Sequence, residues 1–246
     1  MKGVDFCVRR TLNCVLFLWL TSAPFSVDCA ADITLTANHS QITSLTTHLK
    51  VPSKPKAQGT LFLWPGLQPK ADQAHYLPID NGVLQPVLTW GPSCAPGHQP
   101  APYSSWWISA QYVNTFGHQN GYTGCLGGKI MKAEPGEILT IALTLENEIW
   151  KQTVKRESSG ESVSFSLDLK NQEQSFAEFV IEPYDGATLA EPLIFTNTSI
   201  RFSQANDKNC KLISKGMSDD MTPPRSSNDF SACFIDQIKI SMAARP

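Results

Sequence analysis

The sequence contains 246 residues, of which only 17% are charged, against about a quarter in typical globular proteins. Its formal net charge is -2 and it has no basic stripe, so the attraction that holds proteins to nucleic acid or to an anionic membrane is not expected. Lys and Glu are scarce, whereas Ser, Thr, Val, Ile and aromatic residues occur in runs, which favours strands over helices. The composition therefore predicts a single all-β domain.

The amino terminus has the pattern of a secretory signal peptide. Cations within the first ten residues precede the apolar run 14–20, and small residues follow up to Ala31, so we place the signal at 1–31. The apolar run is shorter than the roughly 18 residues of a membrane-spanning helix, and no other part of the sequence approaches that length. We therefore expect a secreted, extracellular monomer that has no membrane segment after removal of the signal.

The following residues predict a series of short strands. Residues 32–58 are polar and are interpreted as a first strand or a short leader. From residue 59 to residue 246, runs of β-forming residues recur between turn residues. The predicted strands are 60–64, 83–90, 105–113, 136–145, 149–156, 162–169, 176–182 and 193–202, with 233–242 as a last candidate. Their number and spacing predict an antiparallel β-sandwich of the jelly-roll type for 59–246.

The connections between the predicted strands, and one proline within a strand, give further expectations. Residues 91–104 and 114–127 are rich in Pro, Gly and His, which is typical of loops that carry binding residues. Residues 203–230 form a polar excursion before the last candidate strand. Pro86 lies within the predicted strand 83–90, and proline has no N–H for a sheet ladder. This position therefore predicts an edge strand or a bulge.

Four of the seven cysteines lie beyond the predicted signal. An even number of cysteines in an exported chain predicts disulfides. Of the three possible pairings we favour Cys94–Cys125 and Cys210–Cys233, because each pair brackets a loop rich in turn residues, whose closure contributes roughly 3 kcal/mol. A zinc site is the alternative, but the sequence has no C-x-x-C motif. We expect neither a metal nor a cofactor.

Two polar residues within predicted strands are candidates for chemistry, since the motifs of serine hydrolases, phosphate-binding loops and zinc peptidases are missing from the sequence. Glu178 alternates with apolar residues in 176–182, where it either meets water on an exposed face or belongs to a site. Gln85 lies between valines in 83–90, and an amide in such surroundings needs hydrogen-bond partners if it is buried.

Broad aromatic side chains occupy the same strands. Trp64 ends one predicted strand, and Trp106, Trp107 and Tyr112 lie together in another. These rings are interpreted either as core residues or as flat surfaces on an open sheet, which could stack on sugars. A carbohydrate-binding or otherwise non-catalytic secreted protein on the same sandwich is therefore an alternative function, because a fold does not determine an activity.

Six short segments follow one another in the sequence: Leu63-Trp-Pro-Gly66, Gly82-Val-Leu-Gln-Pro-Val-Leu88, Tyr103-Ser-Ser-Trp-Trp107, Pro135-Gly-Glu-Ile-Leu-Thr140, Ala177-Glu-Phe-Val-Ile-Glu182 and Ile194-Phe-Thr-Asn-Thr-Ser-Ile200. Their order and spacings resemble those of the eqolisin family of glutamic peptidases. The resemblance covers residues 60–205 and implies a concanavalin A-like β-sandwich. It also implies that the catalytic pair of the family falls on Glu178 and Gln85, and its conserved tryptophan on Trp64.

The resemblance further implies a mechanism. Glu178 would take a proton from a water molecule and later pass it to the leaving amine. Gln85 would orient that water and donate a hydrogen bond to the developing oxyanion. We therefore expect a secreted endopeptidase that acts in acid on polypeptide substrates, with Trp64, Trp106 and Trp107 as substrate-binding residues.

Overall fold

The described part of the chain consists of strands, turns and loops. The computed structural model describes residues 31–38, 40–56, 58–69, 82–114, 121–216 and 219–242. The predicted signal peptide lies outside these residues, apart from Ala31. Within the described ranges, no helix is long and apolar enough to cross a membrane.

Two antiparallel sheets make up the fold. The strands are β1 (Ala31–Thr36), β2 (Ile42–Lys50), β3 (Thr60–Gln68), β4 (Val83–Trp90), β5 (Trp106–Asn114), β6 (Gly124–Ala133), β7 (Ile138–Glu146), β8 (Ile149–Arg156), β9 (Ser162–Asp168), β10 (Phe176–Tyr184), β11 (Leu193–Phe202), β12 (Lys211–Lys215), β13 (Asp220–Met221), β14 (Arg225–Ser226) and β15 (Ala232–Ile240). Sheet A has the order β12-β1-β10-β3-β4-β5-β6. Sheet B has the order β13-β15-β11-β2-β7-β8-β9, and β14 also pairs with β15. The predicted all-β antiparallel sandwich is thereby confirmed.

The sandwich core lies between the two sheets. Phe179 of sheet A and Phe195 of sheet B are both fully buried, and their ring centroids are 5.1 Å apart in an edge-to-face arrangement. Burying a side chain of this size contributes about 1.5–3 kcal/mol. A polar contact also joins the sheets: Gln152 Nε2, in β8 of sheet B, donates to the backbone carbonyl of Gln111, in β5 of sheet A, over 2.8 Å. Gln111 lies next to the register shift between β5 and β6, so the glutamine ties this irregular part of sheet A to sheet B.

The hairpin between β7 and β8 shows how local sequence fixes the strand register. Asn147 and Glu148 have φ angles of 50° and 67°, and they join the paired residues Glu146 and Ile149. Two central residues with positive φ are typical of a type I′ turn, whose twist matches that of the adjoining strands. The inner residues of β7 then alternate with solvent-side residues, as their sequence predicts.

Some strands lie where the sequence gave weaker signals. Residues 31–50 contain β1 in sheet A and β2 in sheet B; their many Thr and Ser residues hide the alternation of buried and exposed positions. β6 begins within the predicted loop 114–127, because its glycines lower the strand propensity of its first half. The short strands β12, β13 and β14 lie within the predicted polar excursion 203–230.

Both predicted disulfides are confirmed. Cys94 bonds to Cys125, with their Cα atoms 5.8 Å apart, and Cys210 bonds to Cys233, with their Cα atoms 6.1 Å apart. The first bond ties the connection 91–104 to the start of β6. The second joins the residue before β12, at the edge of sheet A, to β15 of sheet B. It is therefore a covalent link between the two sheets.

The prediction of an edge strand or bulge at Pro86 is wrong. β4 lies between β3 and β5, and Pro86 pairs with Ala110 of β5 in regular register. On the other side, the paired residues of β3 and β4 stop at Leu63–Leu88 and resume at Leu67–Leu84 with the same offset. This offset places Pro65 opposite Pro86. Because neither proline has an N–H, the two lost donors fall on a single pair, and the strand stays inside the sheet.

Candidate functional site

Glu178 and Gln85 lie in one row that crosses three neighbouring strands of sheet A. Glu178 of β10 pairs with Gly66 of β3, and the register of β3 and β4 places Gly66 opposite Gln85. Directly paired residues point to the same face of a sheet. The two Cα atoms are therefore two strand spacings apart, about 10 Å, and the residue between them has no side chain. This geometry places the carboxyl group and the amide on the same face, on either side of Gly66.

The row belongs to the face of sheet A that is turned away from sheet B, which we call the site face. Its residues on the central strands are Phe62, Trp64, Gly66, Val83, Gln85, Val87, Thr89, Trp107, Ser109, Gln111, Glu178, Val180 and Glu182. Trp64, Val87 and Val180 form an apolar cluster there that is separate from the sandwich core, with Phe62 and Val83 packed against it.

The two candidate catalytic residues are buried although they face away from the sandwich core. Glu178 is 5% exposed and Gln85 is 8% exposed. Polar groups removed from water interact more strongly with charge that develops beside them than the same groups do in solvent. The pair therefore has surroundings that favour electrostatic stabilisation of a reacting group.

Trp64 occupies the space next to Gly66. A Cβ atom added to Gly66 would lie 2.9 Å from two atoms of the Trp64 ring and 3.0 Å from the Leu84 carbonyl oxygen, so only glycine fits under this ring. The indole N–H of Trp64 donates to Glu182 Oε2 over 3.0 Å. Burial raises the pKa of Glu182, an effect that the hydrogen bond from Trp64 partly offsets. The ring is thus fixed from two sides, by the glycine and by the carboxyl group.

A set of polar side chains continues the site face toward β5. Thr89 Oγ1, Ser109 Oγ and Gln111 Nε2 are buried and have no hydrogen-bond partner among the described residues. Gln111 pairs directly with Gln85, so a second amide adjoins the first. Sequence reasoning missed these residues. Period-two alternation of Trp107, Ser109 and Gln111 against the apolar residues of β5 is the signal that could have found them.

The structure brings together four of the five residues predicted for catalysis and substrate binding. Glu178, Gln85, Trp64 and Trp107 share the site face, and the Trp107 indole N–H donates to the carbonyl oxygen of Gly91 over 3.1 Å. Trp106 lies on the opposite face, in the sandwich core. Its ring centroid is 5.4 Å from that of Trp90.

Tyr112 also lies in the sandwich core. No group of three or more His, Cys, Asp or Glu residues that could hold a metal ion occurs in the described ranges.

Comparison with known proteins gives a structural match without a sequence match. Neither a family model nor a curated protein matches the sequence. The chain superimposes on scytalido-glutamic peptidase bound to a peptide-based transition-state analogue with a TM-score of 0.55 at 13% identity, over 88% of this chain and 99% of that one. It superimposes on SCP-B, a member of the eqolisin family in complex with the tripeptide Ala-Ile-His, with a TM-score of 0.51, also at 13% identity and with the same coverage. The chain therefore has the fold of the glutamic peptidases.

Proposed function

We propose that the protein is a secreted glutamic-type endopeptidase that hydrolyses polypeptides in acid, with Glu178 and Gln85 as its catalytic pair. One observation carries the proposal: both residues are buried on the same face, in the same row of sheet A, and only Gly66 separates them. The fold shared with glutamic peptidases supports it. The acid working range is an expectation that comes from the resemblance to that family.

The proposed reaction needs only these two side chains and water. The Glu178 carboxylate accepts a proton from a water molecule held between Glu178 and Gln85, and the water oxygen bonds to the carbonyl carbon of the peptide. The Gln85 amide donates a hydrogen bond to the carbonyl oxygen as its negative charge develops, a contribution of about 3–4 kcal/mol. The protonated Glu178 then passes its proton to the amide nitrogen, and the carbon–nitrogen bond breaks.

Trp64 has a positioning role in this proposal. Its ring lies beside Gly66, and Glu182 holds the indole N–H. The apolar cluster around it keeps water away from one side of the reacting group.

The carbohydrate alternative has less support. It depends on the rings of Trp106, Trp107 and Tyr112, each of which is at most 1% exposed. A sugar ring needs an open aromatic face to stack on. Export, by contrast, is supported by the two disulfides, which form and persist in oxidising compartments.

The decisive experiment measures cleavage of a denatured protein at pH 3–5 by the wild type and by the Glu178→Gln variant. We expect the wild type to cleave and the variant to lose activity by a factor of about 100 or more, because a general base normally contributes that much. Glu148→Gln, in the exposed β7–β8 turn, is the matched control and should retain full activity. A wild type without cleavage in this range, or an active Glu178→Gln variant, contradicts the proposal.

A further inference from the structure

Aromatic side chains continue the site face beyond Trp64, toward the first residue of β3. Phe62 lies next along β3, and its ring contacts Tyr184 of β10 edge to face, with the centroids 5.5 Å apart. Tyr103, in the connection 91–104, lies beside Thr60, the first residue of β3. We call Phe62, Tyr184 and Tyr103 the aromatic strip. Phe62 and Tyr184 are half-buried and Tyr103 is 41% exposed, whereas Trp64 and the catalytic pair are buried.

Tyr103 is held in place at a conformational cost. Its φ angle is 58°, a left-handed backbone conformation that bulky residues rarely adopt. Its hydroxyl oxygen lies 3.4 Å from Thr60 Oγ1, and a Cβ atom added to Gly91 would lie 2.8 Å from Tyr103 Cε1. The ring is therefore fixed against the end of the site face, yet much of it remains open to solvent.

The strip lies at a distance that an extended peptide can bridge. Phe62 is four residues from Gly66 along β3, and Thr60 is six residues away, which corresponds to about 13 Å and 20 Å. An extended substrate advances by the same amount per residue. A peptide that extends along β3 from a scissile bond held between Glu178 and Gln85 therefore places a side chain four to six residues away on the aromatic strip.

We propose that the aromatic strip is a remote subsite of the proposed peptidase, which binds a large apolar or aromatic side chain four to six residues from the scissile bond. The proposal rests on the proposed function. A polypeptide is the occupant, because the strip is continuous with the apolar cluster and with the row of Glu178 and Gln85 on one face of one sheet. Substrates too short to reach the aromatic strip lack the contact with its rings and are expected to bind more weakly.

Matched peptides test the subsite. Two pairs of peptides, each of about fourteen residues, share one scissile sequence. The members of a pair differ only in carrying Phe or Ser at the positions four to six residues from that bond, on the amino-terminal side in one pair and on the carboxyl-terminal side in the other. We expect kcat/KM of the wild type to be roughly tenfold higher for Phe than for Ser on one side. Tyr103→Ala should bring this ratio close to one. Phe230→Ala is the matched control, since Phe230 is also exposed (46%) with a φ of 56°, but it lies two residues before β15 of sheet B.

The outcomes separate the subsite from the peptidase activity. Equal cleavage of the Phe and Ser peptides by the wild type overturns the subsite and leaves the peptidase standing, and this comparison does not depend on any variant folding. A preference for Phe that survives Tyr103→Ala, or that Phe230→Ala removes equally, also overturns it. Absence of any cleavage overturns both proposals. Binding of an oligosaccharide that Tyr103→Ala abolishes, together with equal cleavage of the Phe and Ser peptides, assigns the strip to glycans instead.

Discussion

The outer faces of the two sheets differ although their inner faces are alike. In β8 of sheet B, exposed Lys151 and Lys155 alternate with buried Trp150 and Val154, so the outer face meets solvent. In β4 of sheet A, every residue after Val83 is buried. An antiparallel sheet with one solvated face needs no such burial. The outer face of sheet A is therefore removed from solvent along β4, whereas that of sheet B meets solvent along β8.

Buried hydroxyl groups give a second contrast, between the inner face of sheet B and the site face of sheet A. Thr47 of sheet B is fully buried, and its Oγ1 lies 2.8 Å from Thr198 Oγ1 in a hydrogen bond. Thr89 of sheet A is also fully buried, but its Oγ1 has no hydrogen-bond partner among the described residues. An unpaired buried polar atom destabilises a fold and calls for an explanation, such as a role in a reaction or a bound water. In the part of the chain that the structure describes, two such atoms also lie in the sandwich core, Trp106 Nε1 and Gln152 Oε1.

Among substitutions that test the difference between the two outer faces, Gly66→Ala should have the largest effect on stability and activity. The new methyl group would collide with the Trp64 ring and the Leu84 carbonyl oxygen, so the ring must move. We expect a loss of about 1–3 kcal/mol in the free energy of unfolding and a fall in kcat/KM of about 100-fold. Ser44→Ala, on the outer face of sheet B, is the control and should change neither quantity. Full activity in Gly66→Ala would show that the position of Trp64 is irrelevant.

Replacement of the two buried threonines should have effects of opposite sign. Thr89→Val removes an unpaired hydroxyl, so we expect the free energy of unfolding to rise by about 1 kcal/mol, while Thr47→Val leaves Thr198 unpaired and should lower it by about 1–3 kcal/mol. Chemical denaturation of both variants measures the pair. If both are destabilised to the same extent, Thr89 has a partner in solution and the two faces do not differ in this way.

Glu182→Gln should change the free energy of unfolding least, and the size of this change should depend on pH. Burial raises the pKa of Glu182, so the folded protein binds more protons than the unfolded chain between the unfolded pKa, about 4.3, and the raised value. The free energy of unfolding contributed by this group therefore falls as pH rises through that window. The glutamine side chain carries no charge, so the variant does not lose this free energy as pH rises. Its amide oxygen still accepts the hydrogen bond from the Trp64 N–H.

We expect the melting temperature of Glu182→Gln to exceed that of the wild type by a few degrees at pH 7 and to match it near pH 4. Thermal unfolding at the two pH values measures the difference. Glu148→Gln, exposed in a turn of sheet B, should show no difference at either pH. An equal gain for Glu182→Gln at both values would mean that the carboxyl group does not titrate with an altered pKa.

Local sequence predicted the fold well where alternation was clear. β7 and β9 alternate in the sequence and in the sandwich, and the turn residues place most strand ends within a few positions. β6 was harder to predict because glycine weakens the strand signal. Pro86 was misjudged because its partner, Pro65, is distant in the sequence, and only the pairing of β3 with β4 makes the two prolines compensate for each other.

The site was predicted in part for a similar reason. Glu178 and Gln85 fall in segments that resemble a known family, and that resemblance named both. Gln111 and Ser109 carry no motif, and their importance depends on burial of both faces of β5, which is a tertiary property. Trp106 and Trp107 are adjacent in sequence and therefore point to opposite faces, so one pattern could not assign the same role to both.

The disulfide between Cys210 and Cys233 has a consequence for when this protein can fold. Thiol–disulfide exchange requires a thiolate, and at pH 4 an ordinary thiol with a pKa near 8.5 is ionised in roughly one molecule in thirty thousand. All four cysteines in the described ranges are already paired, so none of them can attack a bond. In the acid medium proposed for its activity, the link between the sheets can hardly rearrange, and correct pairing must be complete before the protein arrives there.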